Sequence, residues 1–583
     1  MKSRLAEILK SKAFIATALN VIFALFCVFC LVIKFEESDD FYLGAMLSGA
    51  FSGEPSGKIL FVNVILGSAL RFLYGEFPAF NWFVIVPVAA ACVASILFCY
   101  ALMDRLGRMF GLAASLVFLC FFTEDLYVMF QWTKVAAYLC GTGLFIAVWA
   151  LAQKRSWMFI AGGIAICVLG TWIRRESLFL VLPFIFVLFL CAAAWRGNVR
   201  KTVFALCCLC ACIFAGDKIQ ACANAAPEFR AYAEYNGDRA RIMDYARGNQ
   251  TDFTAAAEKS GLDTQDLSLM RKWIFLDPSV FSLQAMRNLS GALVLHPDSW
   301  WTRIHRVVAS PRARWVVGYP MFLALLLLSL GVFLTNRPAM KWVLLFWLLT
   351  LALYCYFICK GRLLYRLEYG LWLGAAIGVL WQLRPNKIWC LRWNCALLLA
   401  VALFQAPTYF PLLEIGRPDG LGCTEDDRLS LNVLFFTRDY QEDRYSLAPQ
   451  RHGCYAELKQ EFDSHPENVY MFAGLDIIRP QYAWFGALRA VPAGYFERQV
   501  HLGTWWYPWP PHVNALKKAG IENPMKQAVD SNVYVIAAEE SGNIPELAKY
   551  LEKRYYKNVN VTRIKEIDGF GVYKFEVGKD KAP

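Results

Sequence analysis

The chain lacks the motifs of nucleotide-driven and serine-hydrolase chemistry. Its 583 residues contain no Walker A loop, no G-x-G-x-x-G turn opening a helix after a strand, and no G-x-S-x-G elbow. Internal repeats and low-complexity linkers are also missing. Pumping driven by nucleotide hydrolysis therefore has no support in the sequence.

Metal-site and nucleic-acid patterns are equally scarce. The chain has 19 Cys and 6 His, but no Cys or Cys/His set has the spacing of a metal site. Most cysteines lie in apolar stretches and act as small apolar residues, while Cys423 and Cys454 can form a disulfide or stay free. No nucleic-acid module is present, and the net charge of +12 belongs mostly to basic loops between apolar stretches.

Apolar sequence, by contrast, is abundant. Hydrophobic residues make up 57% of the chain and the mean hydropathy is +0.38, which is too apolar for a soluble protein. Stretches of roughly 17–22 largely uncharged residues recur, and that length crosses a ~30 Å hydrocarbon core. Eleven spans are predicted: 13–33, 81–103, 106–122, 133–152, 157–173, 178–195, 199–216, 318–335, 341–359, 366–383 and 393–409.

Lys and Arg near the span ends predict the orientation. Lys2, Arg4 and Lys10 precede the first span and place the N-terminus in the cytoplasm, and every second loop after it is basic. Eleven crossings leave the C-terminus outside. The first span lacks the cleavage site of a signal peptide, so a multi-pass protein of the inner (plasma) membrane is expected.

The predicted fold is an α-helical polytopic membrane protein of about 11 transmembrane helices, followed by an external α/β domain. Residues 1–409 form the membrane unit, which the external segments 34–80 and 217–317 interrupt. Residues 410–583 alternate helix and strand patterns. Within them, strands are predicted over 468–473 and 532–538, and helices over 454–465 and 543–556.

Two adjacent carboxylates, Asp39 and Asp40, follow the first span. They begin a predicted helix over 39–51 that lies on the membrane surface and is capped by Ser38, and a second helix is predicted over 58–74. A general base typically contributes ~10²–10⁴-fold. Adjacent helical residues point about 100° apart, so we expect one base, Asp40 before Asp39. Alternatively, both only stabilise the first helical turn through its dipole.

Arginines at the outer ends of spans are candidate phosphate ligands. Arg174 and Arg175 stand between spans five and six, and Arg362 and Arg366 lie four residues apart between spans nine and ten. Arginine forks onto phosphate oxygens and suits a lipid phosphate. The alternatives are a tight turn with an Arg–Glu176 pair at the first site and snorkelling anchors at the second.

Three further features are candidates for an acceptor or auxiliary role. Glu124 and Asp125 form a second external acidic pair, which is either a metal or sugar site or a solvated loop. Glu176 lies beside the first arginine pair. Trp505 and Trp506 belong to an aromatic run whose flat rings suit the apolar faces of sugars, although a membrane-interface belt is the alternative.

The motif Ser38-Asp39-Asp40-Phe41 in the first external loop, with flanking helices and many spans, resembles the GT-C superfamily of integral-membrane glycosyltransferases. The stretch 41–82 is similar to the first loop of bacterial serotype-converting glucosyltransferases. The resemblance covers the architecture of about 1–400 and specific residues only in the first loop. It implies a polyprenyl-phosphate-linked sugar as donor, a cell-envelope glycan as acceptor, and a loop-one Asp as base or metal ligand.

The partners expected are therefore this lipid-linked sugar, the glycan and the bilayer, with no nucleic acid. No cofactor is certain, and a divalent cation (Mg²⁺ or Mn²⁺) can bridge Asp39 or Asp40 to the phosphate. A lipid-linked glycan polymerase or ligase, which relies more on arginine than on Asp40, is an alternative. So is a transporter or flippase, which would place ionisable groups at mid-membrane. A non-enzymatic envelope scaffold is a third.

Overall fold

The computed structural model of the chain describes residues 11–30, 33–192, 199–245, 250–293, 299–309, 320–360, 363–385 and 455–578. The described residues up to 192 are mostly helical. In order, the elements are α1 (Lys12–Leu25), β1 (Lys34–Phe35), α2 (Ser38–Ser48), α3 (Val64–Glu76), α4 (Trp82–Leu106), α5 (Arg108–Phe118), α6 (Glu124–Val128), β2 (Met129–Phe130), α7 (Trp132–Ala152), α8 (Trp157–Ile173) and α9 (Glu176–Cys191). π-Helical turns at Phe26–Cys30 and Leu119–Thr123 extend α1 and α5.

Helices also dominate the described residues from 199 to 385. They are α10 (Val199–Ala223), α11 (Pro227–Ala240), α12 (Gln250–Lys259), α13 (Thr264–Arg271), α14 (Leu283–Ala292), α15 (Trp300–Ala309), α16 (Pro320–Thr335), α17 (Met340–Lys360) and α18 (Tyr365–Gln382).

Six helices in the described part of the chain are long and apolar enough to cross a membrane: Lys12–Cys30, Trp82–Leu106, Arg108–Val128, Trp132–Ala152, Val199–Ala223 and Arg337–Lys360. Each coincides with a predicted span. Three shorter apolar helices and α18 occupy four further predicted spans, whereas 393–409 lies outside the described residues. The mainly helical architecture with membrane-length helices is confirmed, and the count of eleven crossings stays a prediction.

Helix α7 lies at the centre of the helical region, and nearly all of its residues are buried. It approaches α8 closely at Gly143, where an added Cβ would lie 2.6 Å from the carbonyl oxygen of Gly163. Small residues permit this approach because transmembrane helices associate through close backbone packing. The N-terminal end of α7 is thereby held in a fixed position, and the candidate site is built around that end.

The segment 34–80, predicted to be external, is packed against the C-terminal part of the chain. Residues 40–51 are all buried. The Ser48 hydroxyl donates to the carbonyl oxygen of Val491 at 2.8 Å, and the Phe496 N–H donates to that of Ala50 at 2.7 Å. The prediction of a helix on the membrane surface is wrong for α2, because protein buries all of its residues from Asp40 to Ser48.

The ends of these two helices also differ from the prediction. Glu37 rather than Ser38 is the N-cap of α2, without a side-chain cap bond. Helix α3 begins at Val64, not at 58, because the Asn63 side chain caps it by accepting from the Ile65 N–H at 3.0 Å. The residues before Asn63 form an irregular segment instead of a first helical turn.

Residues 455–578 contain a five-stranded sheet flanked by helices. The elements are α19 (Ala456–Ser464), β3 (Val469–Phe472), α20 (Ile478–Phe485), β4 (Gln499–His501), α21 (Pro510–Lys518), β5 (Val533–Ala538), α22 (Asn543–Arg554), β6 (Val559–Ile567) and β7 (Phe570–Val577). The strand order is β4-β3-β5-β7-β6. Strand β3 pairs in parallel with β4 and β5, while β7 pairs antiparallel with β5 and β6.

The sheet shares its core with the second external segment. The N–H groups of Phe275 and Leu276 both donate to the carbonyl oxygen of Leu502, at 2.8 and 2.7 Å. Side chains of α13 and α14 and of β3 and β5 belong to one apolar cluster. The two regions predicted to be external therefore pack together, and the predicted boundary at 409 lies outside the described residues.

Candidate functional site

The Asp40 carboxylate is fully buried in the first turn of α2. Its Oδ1 accepts a hydrogen bond from the backbone N–H of Trp132 at 2.8 Å. Its Oδ2 is buried and has no hydrogen-bond partner among the described residues. Burial raises the pKa of Asp40 well above its ordinary value, against the opposing effect of the Trp132 N–H. Buried polar atoms without a hydrogen-bond partner are rare in native proteins, and the hydroxyl group of a bound substrate would provide a partner for Oδ2.

Local sequence explains why the Trp132 N–H is available. Gln131 is the N-cap of α7, and its Oε1 accepts from the N–H groups of Thr133 and Lys134 at 2.8 and 3.1 Å. The first amide of the helix, that of Trp132, is therefore left to Asp40. Because helix N-terminal amides and the helix dipole favour negative charge, this end of α7 stabilises the ionised carboxylate.

A short parallel strand pair brings α2 and α7 together. Lys34 pairs with Met129 and Phe35 with Phe130, and the Glu36 N–H donates to the carbonyl oxygen of Phe130 at 3.0 Å. Asp40 follows within one turn of helix. The strand pair thus fixes the first loop against the start of α7.

Asp39 has different surroundings from its neighbour. Its side chain is about a third exposed, and its Oδ2 lies 3.8 Å from Arg366 NH1. The same Arg366 nitrogen lies 3.7 Å from Glu37 Oε1 and is buried without a hydrogen-bond partner among the described residues. Arg366 therefore presents a cation beside Asp39 and Asp40. Arg362 lies outside the described residues.

Lys134 is the cation of a buried ion cluster near Asp40. Its ammonium is fully buried, pairs with Glu36, and lies 2.8 Å from Asp125 Oδ2. The Tyr365 hydroxyl donates to the same oxygen at 3.3 Å. The pKa of Glu36 is raised, because burial and the charge of Asp125 together outweigh the opposing effect of Lys134.

Glu124 and Asp125 are only 1% and 2% exposed, so the interpretation of this pair as a solvated loop is wrong. Lys134, nine residues further on, compensates the charge of Asp125 and allows its burial. Asp125 lies in the same cluster as Glu36, close to the first loop.

The two arginines between α8 and α9 have different contacts. The Arg174 guanidinium stacks over the rings of Trp132 and Phe61, at 4.4 and 4.6 Å from their centroids. Its Nε also lies 3.0 Å from Glu176 Oε2, so the turn with an Arg–Glu pair is present as well. Arg175 instead pairs with Asp217 of α10, at 3.2 Å. Trp132 thus links Arg174 to Asp40, while Arg175 points to α10.

Trp505 and Trp506 are 8% and 2% exposed. Trp506 stacks on Tyr42 of α2 with ring centroids 4.1 Å apart, and Trp505 lies 5.7 Å from Phe61. Because both rings are buried within protein, the alternative of a membrane-interface belt is wrong. The aromatic run from the C-terminal part instead packs on the loop that carries Asp40.

The sequence did not indicate two residues of this site, Glu36 and Phe61, nor the hydrogen bond from the backbone of Trp132. Glu36 looked like one more charge at the end of a span, and a backbone donor leaves no sequence signal. Among the described residues, no group of three or more His, Cys, Asp or Glu side chains is placed to hold a metal ion. A divalent cation at Asp39 and Asp40 stays a prediction.

Comparisons with known proteins add one distant similarity. No protein-family model and no curated protein matches the sequence. Among solved structures, the chain is similar to the crystal structure of ArnT from Cupriavidus metallidurans bound to undecaprenyl phosphate. The match covers 98% of each chain at 11% sequence identity, with a TM-score of 0.39. Similarity this low carries no inference about function.

Proposed function

We propose that the chain is a membrane glycosyltransferase that moves a sugar from a polyprenyl-phosphate donor to a cell-envelope glycan on the outer side of the membrane. The observation that carries the proposal is the orphaned Oδ2 of Asp40, buried beside the cation of Arg366. A base and a cation within one protein-lined site are what transfer from a phosphate ester requires.

In the proposed reaction, an acceptor hydroxyl attacks the anomeric carbon of the donor sugar and gives its proton to Asp40 Oδ2. The new glycosidic C–O bond forms while the bond between the anomeric carbon and the phosphate oxygen breaks. The polyprenyl phosphate leaves with one more negative charge than it carried as a diester. Arg366 and Arg174 neutralise that charge.

Geometry gives unequal support to the three predicted arginines that lie among the described residues. Arg366 NH1 is buried without a hydrogen-bond partner among the described residues, with carboxylate oxygens of Glu37 and Asp39 at 3.7 and 3.8 Å, and the Arg174 guanidinium lies over two rings. Arg175 is paired with Asp217 and its side chain is half exposed, so we give it no role in the donor site. Charge-assisted bonds from guanidinium to phosphate are among the strongest available.

The test is glycan analysis of a deletion strain complemented with wild type, Asp40→Asn or Asp39→Asn. We expect Asp40→Asn to lower the glycan product by at least ~10²-fold, and Asp39→Asn to lower it far less. Full restoration by Asp40→Asn would refute the role of Asp40 as base. An Arg366→Ala variant that loses more product than Asp40→Asn would favour the polymerase or ligase alternative.

A further inference from the structure

Phe61 adopts a backbone conformation that is rare for an aromatic residue. Its φ is +74°, in the left-handed region that favours glycine, and its ring is 41% exposed. Non-glycine residues held in this region cluster at binding and catalytic sites. The ring lies 5.7 Å from that of Trp132 and 5.7 Å from that of Trp505. Phe61 is the exposed member of a three-ring cluster.

The two tryptophans of this cluster each hold an unused donor. Trp132 Nε1 and Trp505 Nε1 are buried and have no hydrogen-bond partner among the described residues. An indole N–H can only donate, and a buried donor without an acceptor is destabilising. Trp509, in the same aromatic run, differs because its Nε1 donates to the carbonyl oxygen of Lys58 at 2.8 Å.

Hydrogen bonds to the backbone near Phe61 and at Trp505 hold the cluster beside the proposed base, while the Phe61 side chain makes no hydrogen bond. The Lys58 bond to Trp509 fixes the chain just before Phe61, and Asn236 Nδ2 donates to the carbonyl oxygen of Trp505 at 2.8 Å. Trp132 itself binds Asp40 through its backbone N–H. Arg174 lies over both Trp132 and Phe61. Two unused donors, an exposed ring and a cation therefore lie around Trp132, whose backbone N–H binds Asp40.

We propose that Phe61, Trp132 and Trp505 form a subsite for the pyranose ring of a saccharide substrate. The inference rests on the proposed glycosyltransferase function and adds the position of the sugar. Movement of the Phe61 ring opens the two indole N–H groups, which donate to sugar hydroxyls, while the aromatic faces cover the apolar C–H face of the ring. Arg174 lies over Trp132 and Phe61, where it would contact the phosphate attached to the bound sugar.

The sugar has two possible sources, the lipid-linked donor and the glycan acceptor. We test Trp505→Phe, which keeps a ring and removes the N–H, and Phe61→Gly, which removes the ring and suits the positive φ. Trp484→Phe, at a tryptophan that is 44% exposed on α20, is the matched control. The full chain in nanodiscs is titrated with undecaprenyl phosphate and with its glucose, galactose and mannose derivatives. Transfer is measured with glycan extracted from the deletion strain.

If the subsite holds the donor sugar, Trp505→Phe weakens binding of the preferred sugar-bearing lipid about fivefold, because one hydrogen bond to the sugar is lost. Binding of undecaprenyl phosphate itself stays unchanged. If it holds the acceptor, lipid binding is unchanged and the KM for the extracted glycan rises by a similar factor. Phe61→Gly follows the same pattern, and Trp484→Phe changes neither quantity.

Two results overturn the subsite. In one, both variants keep lipid binding and glycan KM within twofold of wild type. In the other, binding of undecaprenyl phosphate falls as much as binding of its sugar derivatives, which assigns the indoles to phosphate. Failure of the wild type to bind any of the lipids or to transfer sugar would instead refute the proposed function, so the two failures are distinguishable.

Discussion

Asp40 and Trp132 lie 92 residues apart in the sequence and are joined by a 2.8 Å hydrogen bond from the backbone N–H of Trp132 to Asp40 Oδ1. Because the donor is a main-chain group, no substitution at position 132 other than proline removes it. The bond orients the carboxylate and leaves Oδ2, the atom we propose as the base, without a hydrogen-bond partner among the described residues. The buried position of Asp40, its charge and its one fixed partner lead to the first two predictions.

Transfer activity should fall on acidification at a higher pH than an exposed aspartate would give. Asp40 must be ionised to accept a proton, and burial raises its pKa well above the ordinary value of about 3.9. The acid limb of the pH–rate profile therefore reports the raised pKa. Product formation in membranes from the complemented strain, measured from pH 4 to 9, checks this. A rate that stays level down to pH 4 would contradict it.

Asp40→Asn should stabilise the protein while it strongly lowers transfer. A carboxyl whose pKa is raised on folding favours the folded state below its unfolded pKa, and that contribution is lost as the pH rises through the folded pKa. At neutral pH the buried charge is therefore a cost, which asparagine removes, on the order of 1 kcal/mol. We expect a higher Tm for the purified variant at pH 7 and little difference at pH 4. Asp39→Asn, at a partly exposed position, is the control, and a lowered Tm for Asp40→Asn at pH 7 would oppose the prediction.

Lys134→Met should destabilise the fold strongly. The substitution removes the ammonium that lies between Glu36 and Asp125 and leaves two buried carboxylates uncompensated, which costs about 3–5 kcal/mol. Adding Asp125→Asn to this variant should recover part of the loss. Thermal unfolding of the purified chain measures both effects.

The exposed Lys459–Asp463 pair supplies the control for this prediction. Lys459→Met should change the stability by no more than about 0.5 kcal/mol. Equal Tm shifts for Lys134→Met and Lys459→Met would show that the buried cluster contributes no more than a surface ion pair.

Local patterns predicted much of the fold. Apolar runs locate the helices to within a few residues, as in α7 and α8. The strand predictions over 468–473 and 532–538 match β3 and β5. These elements depend on periodicity and composition, which can be read from residues adjacent in the sequence. The different surroundings of Asp39 and Asp40 likewise follow from helical geometry alone.

The burial of α2 was not predictable, because it depends on contacts between distant parts of the chain. The Tyr42 hydroxyl donates to Gln481 Oε1 at 2.6 Å, across 439 residues, and Trp506 stacks on the same tyrosine ring. Helical spacing in residues 39–51 indicates an apolar face but not what covers the opposite one. For the same reason, the sequence left open whether Glu124 and Asp125 lie in a solvated loop, since it does not show that Lys134 compensates the charge of Asp125.

Asp277 should hold the second external segment against the C-terminal sheet. Its Oδ2 accepts from the hydroxyls of Tyr550 and Tyr555 at 2.7 and 2.6 Å, and its Oδ1 accepts from Asn523 Nδ2 at 2.8 Å. Burial alone would raise its pKa, but these bonds and that of Ser279 outweigh burial and lower the pKa. Its stabilising contribution is therefore present at neutral pH and is lost only as the pH falls through this lowered value, below about 3.9.

Asp277→Asn should accordingly cost about 1.5–3 kcal/mol at pH 7, the range for hydrogen bonds to a charged group. We expect a lower Tm and faster proteolysis within residues 250–293, with a difference from wild type that shrinks towards pH 3. Tyr556→Phe, which removes one exposed bond to the carbonyl oxygen of Lys526, should change the Tm little. A wild-type Tm and cleavage pattern for Asp277→Asn would mean that the apolar contacts between α13, α14 and the sheet suffice without this carboxylate, since they are the remaining attachment.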